Sequence, residues 1–272
     1  MASEKITVVG DGHFHFYPCY DPAEAVACLF YNLGRLAAAA GNFAPGTDVF
    51  RIAFLAESGQ CDYFRKILGG EISFRKSNLE VAAGPEAHCV SFSKENKEVL
   101  CLVAGRQVVT REKIEILGLG MEAVVPDGLA AEEAVETVLA AGGLPVLAFS
   151  PGKWLFKRGK IALELFERYS KSLVIGDSAL RPHGWPEPGI MRRANGKILP
   201  GSDPLPLPGE EKYAGSYGFV CRGAFDISKP LRSMMGIMAN TPLAVAPAGR
   251  RCSLPATAGK LYRLWRAKKS GH

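Results

Sequence analysis

Histidine is scarce in this chain, with 5 among 272 residues, so any place where two stand together carries weight. Cysteine never falls into a C-x-x-C pair. The 7 cysteines, at positions 19, 28, 61, 89, 101, 221 and 252, are scattered, which excludes zinc fingers and disulfide scaffolds. Several lie inside apolar runs, such as Val26-Ala27-Cys28-Leu29 and Val99-Leu100-Cys101-Leu102, so buried reduced thiols and a cytoplasmic setting are expected. No stretch approaches the roughly 18–20 apolar residues of a membrane span. The opening MASEKITVVGDG passes straight into a strand pattern with no signal-peptide cleavage site. Neither sign of charge dominates: 33 Lys and Arg against 27 Asp and Glu give +6. With 47% hydrophobic and 22% charged residues, the chain is expected to be a soluble globular protein with no membrane partner.

What is present is an alternation of strand and helix patterns. Ile6 to Val9 reads as a buried strand ending at Gly10-Asp11-Gly12. Asp21-Pro22 then opens a helix that runs to about Ala40 and stops at Gly41-Asn42. Val49 to Ala56 is a second strand, and Asp62 to Leu68 a short helix. Residues 79–110 hold short β-like runs with turn segments such as Lys94-Glu95-Asn96-Lys97, an antiparallel hairpin region inserted into the β/α order. Alternation resumes with a helix over Ala130 to Ala141, a strand over Pro145 to Phe149, a helix over Leu155 to Tyr169 and a strand over Leu173 to Ile175. Residues 181–215, rich in proline and glycine, read as a long functional loop. A β-like run, Tyr217 to Cys221, and a helix near Leu231 to Ala239 follow. The fold expected is α/β: a distorted, TIM-like β/α barrel of about seven parallel strands. It forms one domain over 1–255, followed by a basic helical tail over 256–272. In that tail Tyr262 and Trp265 lie at helical spacing, so one side is expected to dock on the body.

In parallel α/β folds the chemistry collects at strand C-termini. Asp11-Gly12-His13-Phe14-His15 follows the first strand. Extended backbone points side chains two apart to one face, so His13 and His15 can share a divalent metal, with Asp11 orienting or ligating beside them. Glu57 ends the second strand and Asp177 a later one; each is a candidate ligand or general base, or else a helix cap or arginine partner. Lys153, in Ser150-Pro151-Gly152-Lys153, together with Arg181 and His183 at another strand end, can receive an anionic group. An Arg181–Asp177 salt bridge is the plain alternative.

The segment Val8-Val9-Gly10-Asp11-Gly12-His13-Phe14-His15 resembles the opening motif of metal-dependent hydrolases of the amidohydrolase and PHP superfamilies. Gly142-Gly143-Leu144-Pro145-Val146-Leu147-Ala148-Phe149-Ser150-Pro151 is similar to a later PHP turn and strand, with Ser150 where those proteins carry histidine. Leu199-Pro200-Gly201-Ser202-Asp203 looks like the late strand that bears a metal-binding aspartate. Pro204-Leu205-Pro206 follows it, without a further Asp-x-His pair. The resemblance implies a β/α barrel, the ligands His13, His15 and Asp203, and Zn, Mn or Fe as cofactor, one ion rather than three.

Two readings follow. One is a metal-dependent, phosphoesterase-like hydrolase that acts on a phosphorylated or otherwise anionic small molecule through a metal-activated water. The other is a PHP-like barrel that has lost catalysis and binds a ligand or protein partner. Nucleic acid ranks last among partners, because only the basic tail and the net charge speak for it.

Overall fold

The computed structural model describes residues 7–41, 49–59, 61–94, 98–154, 156–222, 224–240 and 242–270. In chain order come β1 (Thr7–Phe14), α1 (Pro22–Ala39), β2 (Val49–Leu55), β3 (Glu57–Ser58), α2 (Tyr63–Leu68), β4 (Leu79–Ala83), β5 (Cys89–Lys94), β6 (Glu98–Val103), β7 (Gly105–Val109) and β8 (Glu115–Leu119). Then follow α3 (Ala131–Ala140), β9 (Leu144–Ala148), α4 (Phe156–Arg168), β10 (Val174–Ser178), α5 (Gly189–Arg193), β11 (Ile198–Gly201), β12 (Tyr217–Cys221), α6 (Pro230–Asn240), β13 (Val245–Gly249) and α7 (Leu254–Lys269). The turn expected at Glu95-Asn96-Lys97 and the helix stop at Asn42 lie outside the described residues.

The expected closed barrel of about seven parallel strands is not what forms. The strands make two mixed sheets, one of seven in the order β13-β12-β1-β2-β6-β5-β4 and one of six in the order β11-β10-β9-β8-β7-β3. Parallel ladders join β1 to β2, β2 to β6, β3 to β7 and β9 to β10 to β11. Elsewhere the ladders are antiparallel, with β12 returning alongside β1 and β8 lying between β7 and β9. Nor are the hairpins of 79–110 an insertion. β6 continues the parallel ladder from β2, β4 and β5 extend that sheet to its edge, and β7 crosses into the other sheet.

The sequence pattern is misleading here for a physical reason: strands covered on both faces read as continuous apolar runs whatever their direction. Val8, Ile52, Phe54 and Val103 of the first sheet meet Leu117, Val146, Val174 and Leu199 of the second in a shared inner core. Leu231, Met234 and Met238 of α6 join them. On the outer face of the first sheet, Val26, Leu29 and Leu33 of α1 cover Val9, Leu55 and Leu102. On that of the second, Val135 and Val138 of α3 and Leu165 and Phe166 of α4 cover Ile116, Leu147 and Ile175. Each such fully buried side chain contributes about 1.5–3 kcal/mol of transfer free energy.

The expected loop over 181–215 contains α5 and β11. β11 is an edge strand, where Pro200 costs no ladder bond on its free side. It lies beside β1 at very short range, and two glycines allow this. A Cβ on Gly201 would stand 2.3 Å from the His13 nitrogen and 2.5 Å from its Cβ, and one on Gly12 would stand 2.5 Å from Leu199 Cγ. α7 docks through Leu264 and Ala267 on Leu180, Leu205 and Leu207, and the Thr257 hydroxyl donates to Leu180 O at 3.3 Å. Tyr262 and Trp265 stack on each other on its outer side. Among the described residues no helix is long and apolar enough to cross a membrane.

Candidate metal centre

The strand-end motif of β1 and the turn after β11 converge. His13 and His15 are almost fully buried, and their Nε2 atoms lie 2.9 Å apart. Asp203 Oδ1 stands 3.7 Å from His13 Nε2 and 3.6 Å from His15 Nε2. Ligands held 2.0–2.1 Å from a tetrahedral ion lie roughly 3.4 Å apart, so this triangle has the size of a coordination face. Among the described residues it is the one group of three or more His, Cys, Asp or Glu side chains arranged this way.

Asp203 is held in an uncommon conformation. Its φ is +48°, in the left-handed region that a non-glycine residue adopts only under constraint. The constraint is visible: Asp203 N donates to His13 O at 2.8 Å, and the Ser178 hydroxyl donates to Asp203 Oδ2 at 3.0 Å. That leaves Oδ1 facing the imidazoles. Burial acts to raise the Asp203 carboxyl, but the charge of His13, the His15 contact and the Ser178 hydroxyl outweigh it and bring it down to about 2. Burial lowers the His13 imidazole, with Asp203 opposing.

The donor count also fits a cation. Only one of the two facing Nε2 atoms can carry a hydrogen toward the other, so at least one unshared pair and a carboxylate oxygen meet at one point. His15 Nδ1 is buried without a hydrogen-bond partner among the described residues, so the polar contacts of that ring run through Nε2. A divalent ion satisfies such a set, and two imidazoles with one carboxylate suit Zn, Mn or Fe.

Asp11 lies beside this group and serves a different purpose. Its carboxylate accepts from His13 N at 3.0 Å, Ser202 N at 2.8 Å, the Ser202 hydroxyl at 2.5 Å and Gly215 N at 2.9 Å. Those bonds tie the ends of β1 and β11 to the segment before β12. Burial pushes the Asp11 carboxyl up to about 6 even so.

The remaining sequence candidates lie apart from the triangle. Asp177 makes a bidentate pair with Arg181, both contacts 2.7 Å, and accepts from the Tyr217 hydroxyl at 2.6 Å and Ser178 N at 3.0 Å. Arg181 is itself buried. Glu57 accepts from the backbone N–H groups of Tyr63 and Phe64, capping α2, and faces Arg106 at 3.6 Å; burial pushes its carboxyl up to about 7. His183 is exposed, and its backbone N–H donates to Cys252 O at 2.7 Å. Lys153 pairs closely with Glu115, whose charge reaches His13. Ser150 interacts through its carbonyl with Lys153 N at 3.0 Å.

Sequence reasoning passed over Tyr17, Gln107, Glu115 and Ser178. Tyr17 stacks on His15 with ring centroids 5.0 Å apart, and Gln107 Oε1 is 3.2 Å from His13 Nε2. None sits in a motif; a tyrosine two residues past the second histidine was the nearest signal. A cavity of about 740 Å³ borders Asp203, with Asn32, Arg35, Tyr213, Arg250 and Lys260 on its walls.

No family model matches the chain, and no curated protein matches it. Among solved structures it is similar to PsfC from Pseudomonas syringae PB-5123, with 12% identity and a TM-score of 0.49 over 97% of this chain and 99% of that one. It is also similar to Endonuclease Q complexed with a 27-mer duplex substrate bearing an abasic lesion at the active site, with 12% identity and a TM-score of 0.45 over 87% of this chain and 57% of that one. The lesion-specific endonuclease PfuEndoQ from Pyrococcus furiosus gives 12% identity and 0.45 over 87% and 56%. The chain thus spans a little over half the length of these endonucleases. With a DNA complex among the similar structures, the ranking of nucleic acid last among partners is withdrawn.

Proposed function

We propose that the chain is a metal-dependent hydrolase acting on a phosphorylated or otherwise anionic substrate. The observation that carries this reading is the convergence of His13, His15 and Asp203 on one buried point. When bound there, a divalent ion supplies Lewis acidity and a water acidic enough to act as a nucleophile near neutral pH. The protein's own residues do the rest. Asp11 and Ser178 hold the ligand-bearing segments in place, and the buried walls exclude bulk water. Lys153, paired with Glu115 whose charge reaches His13, is a candidate cation for a negative substrate group. Arg35 and Arg250 on the wall of the cavity bordering Asp203 suit the same charge, while Lys260 there is paired with Glu210.

A second reading, a catalytically silent binding module, draws support from the carboxylates. Asp177 is committed to Arg181 and Tyr217, and Glu57 to α2 and Arg106, which leaves neither free as a general base.

Elemental analysis of gently purified protein tests the first reading. One equivalent of Zn, Mn or Fe is expected, lost in His13→Ala, together with hydrolysis in a panel containing a phosphate monoester, a phosphodiester and a short DNA duplex. Less than one equivalent, unaffected by His13→Ala, overturns it. Full metal content with no turnover across the panel favours the binding module.

A further inference from the structure

The triangle supplies three ligands, and the structure offers a fourth from the opposite sheet. Gln107 lies in β7, where its backbone pairs with Leu117 of β8 on one side and Ser58 of β3 on the other. Side chains alternate along a strand, so Val108 joins the outer core beneath α3 while Gln107 turns to the inner side. There its Oε1 meets His13 Nε2 at 3.2 Å. Resting on the metal reading above, we propose that Gln107 is a fourth protein ligand, contributing its amide oxygen to a two-nitrogen, two-oxygen site.

Without metal, His13 Nε2 can carry a hydrogen and donate it to Gln107 Oε1. The same nitrogen cannot ligate a cation and keep that hydrogen, so metal binding strips the amide oxygen of its donor. A half-buried carbonyl oxygen left without a donor costs free energy unless it finds a new partner. The cation is such a partner, because the oxygen already stands at hydrogen-bond distance from an atom that ligates it. Amide carbonyl is a neutral, hard donor that suits Mn²⁺ or Fe²⁺ as well as Zn²⁺.

The ligand set then has a structural consequence. His13 and His15 come from the end of β1 in the seven-stranded sheet, whereas Gln107 lies on β7 and Asp203 follows β11, both of the six-stranded sheet. An ion held by all four fastens the two sheets together across a seam that, among the described residues, no ladder closes.

The test is Co²⁺ and Mn²⁺ titration of the full chain by calorimetry, with the visible absorption of the Co²⁺ form and thermal melts with and without metal. Gln107→Leu keeps the bulk and removes the oxygen. It is expected to weaken both metals at least 10–100-fold, to change the Co²⁺ absorption and to shrink the metal-induced rise in Tm. Gln107→Glu, which restores an oxygen and adds charge, is expected to bind at least as tightly as the parent. Gln107→Leu with unchanged affinity and an unchanged Co²⁺ spectrum overturns the proposal, as does a Gln107→Glu variant that binds no better than Gln107→Leu. If Gln107→Leu fails to fold, Gln107→Glu decides alone, with weaker binding than the parent as the refuting result. A parent chain that binds neither metal refutes the metal reading itself, a result recognisably different from either.

Discussion

Replacing Arg181 by methionine separates a structural ion pair from a substrate clamp. In the parent, Arg181 and Asp177 side chains are 7% and 3% exposed and joined by two parallel contacts of 2.7 Å. Removing one member of a buried pair costs about 3–5 kcal/mol, because the other charge is left in a poorly solvating interior. Asp177 would keep the Tyr217 hydroxyl at 2.6 Å, Ser178 N at 3.0 Å and the more distant Arg251 at 3.9 Å, which places the expected loss at the low end, near 3 kcal/mol. For a chain of this size that is a fall in Tm of roughly 6–12 °C. Asp177→Asn should cost a similar amount, and the double variant less than the sum by more than about 1 kcal/mol, since the second change removes the charge stranded by the first. Urea unfolding of the four proteins closes the cycle, with metal stoichiometry measured alongside. Arg181→Met within about 1 kcal/mol of the parent, coupled to lost hydrolysis or anion binding, would instead make Arg181 a substrate group and not a structural one.

Two further outcomes follow from the same geometry. Gly201→Ala, whose Cβ would stand 2.3 Å from His13 N, should cost about 1–3 kcal/mol and weaken metal binding, whereas Gly236→Ala in α6, with open space around it, should be neutral or stabilising; urea melts and metal titration check both. Glu57, raised from 4.5 to about 7 in the fold chiefly by burial, binds its proton more tightly folded than unfolded, so its contribution is full below about pH 4.5 and is lost as pH rises toward 7. The stability of Glu57→Gln relative to the parent should therefore rise by on the order of 1–3 kcal/mol between pH 4.5 and 7.5, and a pH-independent difference would contradict that.

Local signals in the sequence read well where one residue type has one structural use. Asp21-Pro22 marks the start of α1, and the Asp21 carboxylate accepts from Ala23 N at 2.8 Å. The strand runs of β2, β9, β10 and β12 stand close to where apolar patterning puts them, whereas β1 does not end at Gly10-Asp11-Gly12 but runs through it to Phe14. Strand direction was not legible, because Val, Ile and Leu on a strand buried on both faces satisfy parallel and antiparallel neighbours equally well. β11 escaped the residue pattern because Pro200 and Gly201 read as loop; both are tolerated only because β11 is an edge pressed against β1. At the site, the two histidines were visible from alternation alone, and Asp203 through family resemblance. Gln107 was invisible, since a polar residue in a strand points to a site only once the partner sheet is known.

Asp11 shows why a motif residue and a ligand are different things. A carboxylate offers about four lone-pair positions, and all four are taken by His13 N, Ser202 N, the Ser202 hydroxyl and Gly215 N. Ligating an ion would require Asp11 to release donors that are themselves buried, each release costing about 1–3 kcal/mol. The same bonds answer for the strain at Asp203. A left-handed backbone at a non-glycine residue costs on the order of 1–3 kcal/mol, and it persists because Ser202, its immediate neighbour, is anchored twice to Asp11 while Asp203 N is anchored to His13 O. The aspartate of the opening motif thus aims a carboxylate nearly two hundred positions later in the chain. With so few histidines available, the site is completed by geometry imposed on ordinary residues.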